Sequence, residues 1–154
     1  MKAPGFDLLG VDGKRHSPAG ARGDKGLVVM FICNHCPYVK RSLERILSDC
    51  RELQKHGIGS IAVMPNDPGY NAEDSFDNMK RVAREKGFPF PYVFDETQDV
   101  ARAYDAVCTP DFFGFDSGLE LRYHGRLEDL VAAMAGTPPQ KVVHSIGCSI
   151  KWRK

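Results

Sequence analysis

Cys33 and Cys36, separated by Asn34 and His35, are the residues whose types and spacing point most directly to chemistry. A pair spaced Cys-x-x-Cys serves either dithiol–disulfide exchange or half of a tetrahedral metal site. The chain's other three cysteines, Cys50, Cys108 and Cys148, lie far apart, so five cysteines in all make an odd, irregular set unlike a disulfide framework. Lys plus Arg (21) nearly balance Asp plus Glu (20), so no field of one sign is available to attract nucleic acid or an anionic membrane. Met1-Lys2-Ala3-Pro4-Gly5 lacks a basic-then-apolar leader pattern, and the longest apolar run, Leu27 to Cys33, is too short to span a bilayer. The expectation is a cytoplasmic protein without nucleic-acid or membrane partners, where a close cysteine pair is catalytic or metal-binding.

The elements that must hold this pair are legible around it. Leu27-Val28-Val29-Met30-Phe31-Ile32 reads as a central strand covered on both faces, running straight into Cys33. From Pro37 to His56, apolar Val39, Leu43, Ile46, Leu47, Cys50 and Leu53 recur at helical spacing; Pro37 suits the first turn and Gly57 the stop. Ile58 to Met64 is a second buried strand that completes a β-α-β unit. Upstream, Asp12-Gly13 between short candidate strands predicts an N-terminal hairpin. Downstream, the pattern predicts a helix over Glu73 to Lys86, a strand at Tyr92-Val93-Phe94 and a short helix around Val100 to Tyr104. A hairpin follows, Asp111 to Phe115 and Leu119 to His124 about an Asp116-Ser117-Gly118 turn, then a closing helix from Leu127 to Met134. The length suits one domain over 1–154, with 1–26 as a hairpin extension and 137–154 as an apolar, docked tail.

Cys-x-x-Cys between strand and helix is the pattern of a thioredoxin-like redox centre. Unpaired N–H groups and the positive end of the helix dipole stabilise a thiolate there, which makes Cys33 the expected exposed, low-pKa nucleophile and Cys36 the resolving thiol. Bringing a thiol from a pKa of about 8.5 to about 6 takes about 3.4 kcal/mol. One helix end supplies roughly a third of that, leaving the remainder to Asn34, His35 and a hydrogen bond between the sulfurs.

Cys108-Thr109-Pro110-Asp111, before the last hairpin, adds a second signature. The order of strand, Cys-x-x-Cys, long helix, strand, Thr-Pro, hairpin and helix resembles that of thioredoxin. More narrowly, five segments look like the peroxiredoxin-like branch of the alkyl hydroperoxide reductase/thiol-specific antioxidant (AhpC/TSA) family. They are Phe31 to Val39, Asn66-Asp67-Pro68, Phe90 to Gln98, Cys108 to Phe113, and Gly147 to Trp152. The resemblance implies an α/β thioredoxin-like fold, a central mixed β-sheet flanked by helices with an N-terminal β-hairpin. It also implies a cis Thr109–Pro110 bond whose neighbouring backbone pairs with an extended substrate. This chain departs from the family pattern after Gly125-Arg126, where members carry a longer insert and here Leu127-Glu128-Asp129 enters the last helix directly.

The resulting expectation is a thiol–disulfide oxidoreductase without an organic cofactor. It would act on protein or low-molecular-weight disulfides and exchange electrons with the thioredoxin or glutathione system. Cys108 and Cys148 are candidate auxiliary thiols. One alternative is a thiol-dependent peroxidase, although Met30 stands three residues before Cys33 where peroxiredoxins place a threonine. Another is a metal-binding protein using Cys33, Cys36, His144 and Cys148. Blander roles suit the rest: Cys50 in the core, His16, His56 and His124 at the surface or a helix cap, and Glu73, Asp74 and Asp77 at a helix N-terminus.

Overall fold

The computed structural model describes residues 1–153. Its centre is a five-stranded mixed sheet in the order β5-β4-β3-β7-β8, formed by β3 (Gly26–Phe31), β4 (Ile58–Met64), β5 (Tyr92–Phe94), β7 (Asp111–Asp116) and β8 (Leu121–Gly125). β3 and β4 are parallel, as are β4 and β5, while β7 runs antiparallel to both β3 and β8. Every residue of β3 is buried, as its unbroken apolar run requires of a strand covered on both faces. Val28 and Met30 enter one core cluster; Leu27, Val29 and Phe31 enter the other. The two-residue side-chain period thus divides one strand between two layers.

On the first face α2 (Pro37–Lys55) buries Val39, Leu43, Ile46, Leu47, Cys50 and Leu53, the stripe expected from sequence, beside α3 (Phe76–Lys86) and α5 (Leu130–Met134). On the second, α4 (Asp99–Ala103) leads into Tyr104, whose ring meets Phe6, Phe31, Phe113 and Phe115. β1 (Leu8–Leu9) and β2 (Arg15–His16) form the N-terminal hairpin. It leans on β5 through Val11 N–H to Tyr92 C=O (2.9 Å), covering that edge of the sheet. A one-turn α1 (Pro18–Ala21), capped by Ser17, joins it to β3.

Three expectations change. The helix predicted from Glu73 is broken: Ala72–Asp74 is a 3₁₀ turn and α3 starts only after Ser75, whose hydroxyl accepts from Asn78 N–H. Leu127–Asp129 is likewise a 3₁₀ turn preceding α5. His124, expected at the surface or a helix cap, is half-buried; it stacks on Phe113 at 4.0 Å between ring centroids and bonds Asp111 through Nε2 (3.0 Å). The tail forms a strand: β9 (Cys148–Ser149) pairs antiparallel with β6 (Cys108–Thr109).

Tyr104→Ala should cost about 3–5 kcal/mol in urea unfolding, because it leaves a cavity among four aromatic rings. Tyr104→Phe, which loses only the hydroxyl's bond to Pro4 C=O (2.9 Å), should cost about 1 kcal/mol. Equal costs for the two would show that packing at Tyr104 contributes little.

Candidate active site

The end of β3, the start of α2, the turn at Asp74 and the Thr109–Pro110 segment converge on the two cysteines. Cys36 is the N-cap of α2 and Pro37 its first residue, where the missing N–H disturbs no helical bond. Cys33 lies three residues earlier, in the short connection after β3. Thr109, fully buried, faces both: its hydroxyl is 3.3 Å from Cys33 Sγ and its carbonyl oxygen 3.4 Å from Cys36 Sγ. The Thr109–Pro110 bond is cis, in accord with the resemblance.

The expectation of an exposed Cys33 thiolate is overturned on two counts. Cys33 is only 2% exposed and Cys36 is 0% exposed. Of the two thiols, Cys36 is also the one held below the usual thiol range, first by the proton it shares with Cys33. Cys33 is pushed up, first by holding that shared proton and then by burial and by the nearby Asp74 carboxylate. The helix terminus favours a thiolate as the sequence suggested, and Cys36, its N-cap residue, lies nearer to it than Cys33.

Asp74 is the residue the sequence hid. Its carboxylate, 0% exposed, accepts from Asn34 N–H (2.7 Å), His35 N–H (3.3 Å) and Asn66 Nδ2 (3.1 Å), and pairs with His35 Nδ1. Asn34 is itself fixed, donating through Nδ2 to Glu73 C=O (2.8 Å) and accepting from Tyr92 OH (2.8 Å). Asn34 and His35 therefore set the shape of the cysteine turn as well as its electrostatics. Asp74 sits among acidic residues near a helix start, so its sequence position suggested a solvated cap. Asn66 lay in a recognisable segment that suggested no role.

The remaining candidates separate. Cys50 is a core residue, its thiol 3.7 Å from Met30 Sδ and pushed up to about 11 by burial. Cys108 faces carbonyl oxygens of Pro110 (3.7 Å) and Ser145 (3.9 Å) and is pushed up to about 12, mainly by burial. Cys148 packs against the core cluster that contains both active-site cysteines, and its register partner Thr109 contacts both sulfurs. The four-ligand metal set is not assembled, because His144 is exposed and apart from the sulfurs. Among the described residues, the group of three metal-ligand types within 4.8 Å is instead Cys33, His35 and Asp74. Nor is the backbone beside Pro110 open to an incoming strand, since Thr109 is already paired with Cys148.

A cleft of about 390 Å³ between α2 and α3 is lined by Cys33 and Asn34, with Lys40, Glu73, Arg81 and Glu85 around it. Pro110 lines a different cleft with Tyr38, Arg41 and Ile146. The two sulfurs thus differ in access: Cys33 borders the α2–α3 cleft, while Cys36 is enclosed by Thr109, Cys148 and the helix start.

Asp74→Ala leaves several buried donors without an acceptor and should destabilise the protein by about 3 kcal/mol or more, with Asp74→Asn, which keeps one acceptor oxygen, less affected. Chemical denaturation checks both, and a change within error for Asp74→Ala would dismiss the clamp. In the reduced protein, the ultraviolet thiolate absorbance should persist as pH falls below the ordinary thiol range. Cys36→Ser should abolish this acid-range signal, and Cys33→Ser should shift it upward in pH by removing the main donor.

A 41% identical solved structure, an uncharacterized conserved protein from Geobacillus kaustophilus, superposes with a TM-score of 0.93, covering 99% of this chain and 91% of that one. A thiol:disulfide interchange protein of the thioredoxin family from Chlorobium tepidum TLS, 18% identical, superposes with a TM-score of 0.72 over 89% of this chain and 95% of that one; the fold is thioredoxin-like. The thiol-disulfide oxidoreductase ResA of Geobacillus thermodenitrificans (strain NG80-2) is 29% identical over 114 residues, 74% of this chain; the match spans 61% of that protein's length. The model of the AhpC/TSA family matches residues 1–124, from the N-terminal hairpin through most of β8, and by that match the chain belongs to the AhpC/TSA family.

Proposed function

We propose that this protein is a thiol–disulfide oxidoreductase in which Cys33 and Cys36 alternate between dithiol and disulfide. The observation that carries this reading is a pair of cysteines at a helix N-terminus, both held by Thr109, one bordering a cleft and the other enclosed. The family also includes peroxidases. Two thiols sharing one proton favour exchange, because the second can break the mixed disulfide formed by the first.

Access assigns the first attack to Cys33. As a disulfide enters the cleft, the shared proton moves from Cys33 to Cys36, and Cys33 thiolate attacks one substrate sulfur. The substrate S–S bond breaks, and its other sulfur leaves as a thiolate that takes a proton from water. Cys36 then gives up its proton and attacks Cys33 Sγ, forming the Cys33–Cys36 bond and releasing the second substrate thiol. The substrate gains two electrons from the sulfur pair and two protons, one from the pair and one from water; the reverse sequence oxidises a substrate dithiol. Thr109 supports both charge states, its hydroxyl able to donate to a Cys33 thiolate and its carbonyl able to accept from a Cys36 thiol. The substrates proposed are protein or small-molecule disulfides, with a cytoplasmic thioredoxin or glutathione system as electron partner.

Cys36→Ser should accumulate mixed disulfides through Cys33, whereas Cys33→Ser should accumulate few. Non-reducing electrophoresis with peptide mapping reads the difference. Trapping mainly through Cys36 would reverse the roles, and trapping by neither variant would remove the exchange reading.

A further inference from the structure

The exchange reading leaves the disulfide in a closed place. Once Cys33 and Cys36 are joined, neither sulfur offers much surface to a reductant, since the two residues are 2% and 0% exposed. A third sulfur touches the pair from the outside. Cys148, half-buried on β9, packs against the core cluster that contains Cys33 and Cys36, and its register partner Thr109 contacts both of those sulfurs.

The tail is held firmly in that position. Thr109 and Cys148 are register partners in the β6–β9 ladder, and Ile150 N–H donates to Val107 C=O (3.0 Å). Lys151 N–H donates to Asn66 Oδ1 (2.9 Å), its carbonyl accepts from Gln98 Nε2 (2.8 Å), and Ile150 is 3% exposed. Gly147 passes so close to Thr109 that a Cβ there would overlap the Thr109 carbonyl oxygen. The segment therefore occupies the edge beside Pro110 with a cysteine as its central residue. It also lies beyond residues 1–124, where the family model matches.

We propose that Cys148 is a third redox thiol, which takes the disulfide over from Cys33 and carries it to the surface as a Cys36–Cys148 bond. This rests on the exchange reading above and adds to it the route by which the protein meets its reductant. In the step, Cys148 loses its proton and attacks Cys36 Sγ. The Cys36–Cys148 bond forms, the Cys33–Cys36 bond breaks, and its electron pair leaves on Cys33, which takes up the proton. No net oxidation occurs, so no further oxidant enters. A partner thiol then attacks the outer sulfur, Cys148, and a second thiol from the same partner completes the reduction.

The electrostatics favour this order of events. In the reduced protein Cys148 is pushed up by burial first and then by its hydrogen bond to Cys36 and the Cys36 charge, while Lys151 acts in the opposite direction. Oxidation of Cys36 removes that hydrogen bond to a thiolate and that charge together. Lys151 remains, so Cys148 ionises more readily when a disulfide is present for it to attack. Cys108, its neighbour across the ladder, is directed at carbonyl oxygens and has no such contact with the pair.

The test is disulfide mapping of the full chain after oxidation with one equivalent of diamide and acid quenching, in wild type, Cys33→Ser and Cys148→Ser. Wild type should yield both Cys33–Cys36 and Cys36–Cys148 bridges, and Cys33→Ser should close Cys36–Cys148 efficiently. Oxidised Cys148→Ser should be reduced by a small protein dithiol roughly tenfold more slowly than wild type, with matched thermal unfolding as the control for folding. Cys33–Cys36 bridges alone in wild type, together with no Cys36–Cys148 bridge in Cys33→Ser, would overturn the third-thiol assignment and leave the exchange reading standing. A wild type that forms Cys36–Cys148 but never Cys33–Cys36 would instead overturn the exchange reading and the relay built on it.

Discussion

A carboxylate withdrawn from water organises this site. Removing an ionised carboxylate from solvent without partners is far more costly than any single contact can offset, so Asp74 has to be surrounded by donors. It is: two backbone N–H groups from the cysteine turn, an imidazole nitrogen and the Asn66 amide converge on it. The same bonds oblige Asn34 and His35 to adopt one arrangement, and they tie the end of β3 to the turn before α3. Cys33 and Cys36 inherit their positions from that requirement.

Thr109 is the counterpart on the other side of the sulfurs. One residue presents a hydroxyl to Cys33, a carbonyl oxygen to Cys36 and a backbone ladder to Cys148. Its burial makes each of these contacts strong, because water does not compete for them. The tail strand has a double effect: it closes the edge where an extended substrate would otherwise pair, and it brings a third thiol against the pair. Cys33 borders the α2–α3 cleft, and Cys148 is half-buried on the tail strand.

The distribution of charge within the pair follows from position more than from residue type. A cysteine at the N-cap lies at the positive end of the helix dipole, and a cysteine three residues earlier faces Asp74. Identical side chains are thereby driven in opposite directions, leaving the charged sulfur enclosed and the protonated one beside the cleft.

The sequence by itself determined everything that depends on local period and local chemistry. An unbroken apolar run gave β3 and β4 as two-sided strands; the spacing of Val39, Leu43, Ile46, Cys50 and Leu53 gave α2; Pro37 marked its start; and the Cys-x-x-Cys spacing singled out the pair. Those signals are readable because strand and helix repeats of the same residues recur within a few positions. Tertiary structure alone decided which sulfur carries the charge, that Asp74 is a buried clamp although it reads as a helix cap, that His144 is remote, and that Cys148 stands against Cys36. The buried clamp and the setting of the sulfurs depend on residues far apart in the chain meeting, as Asn34 meets Asp74 across 40 positions and Cys36 meets Thr109 across 73. No local pattern records such a meeting, because burial and partner are properties of the packed chain and not of any residue's neighbours in sequence.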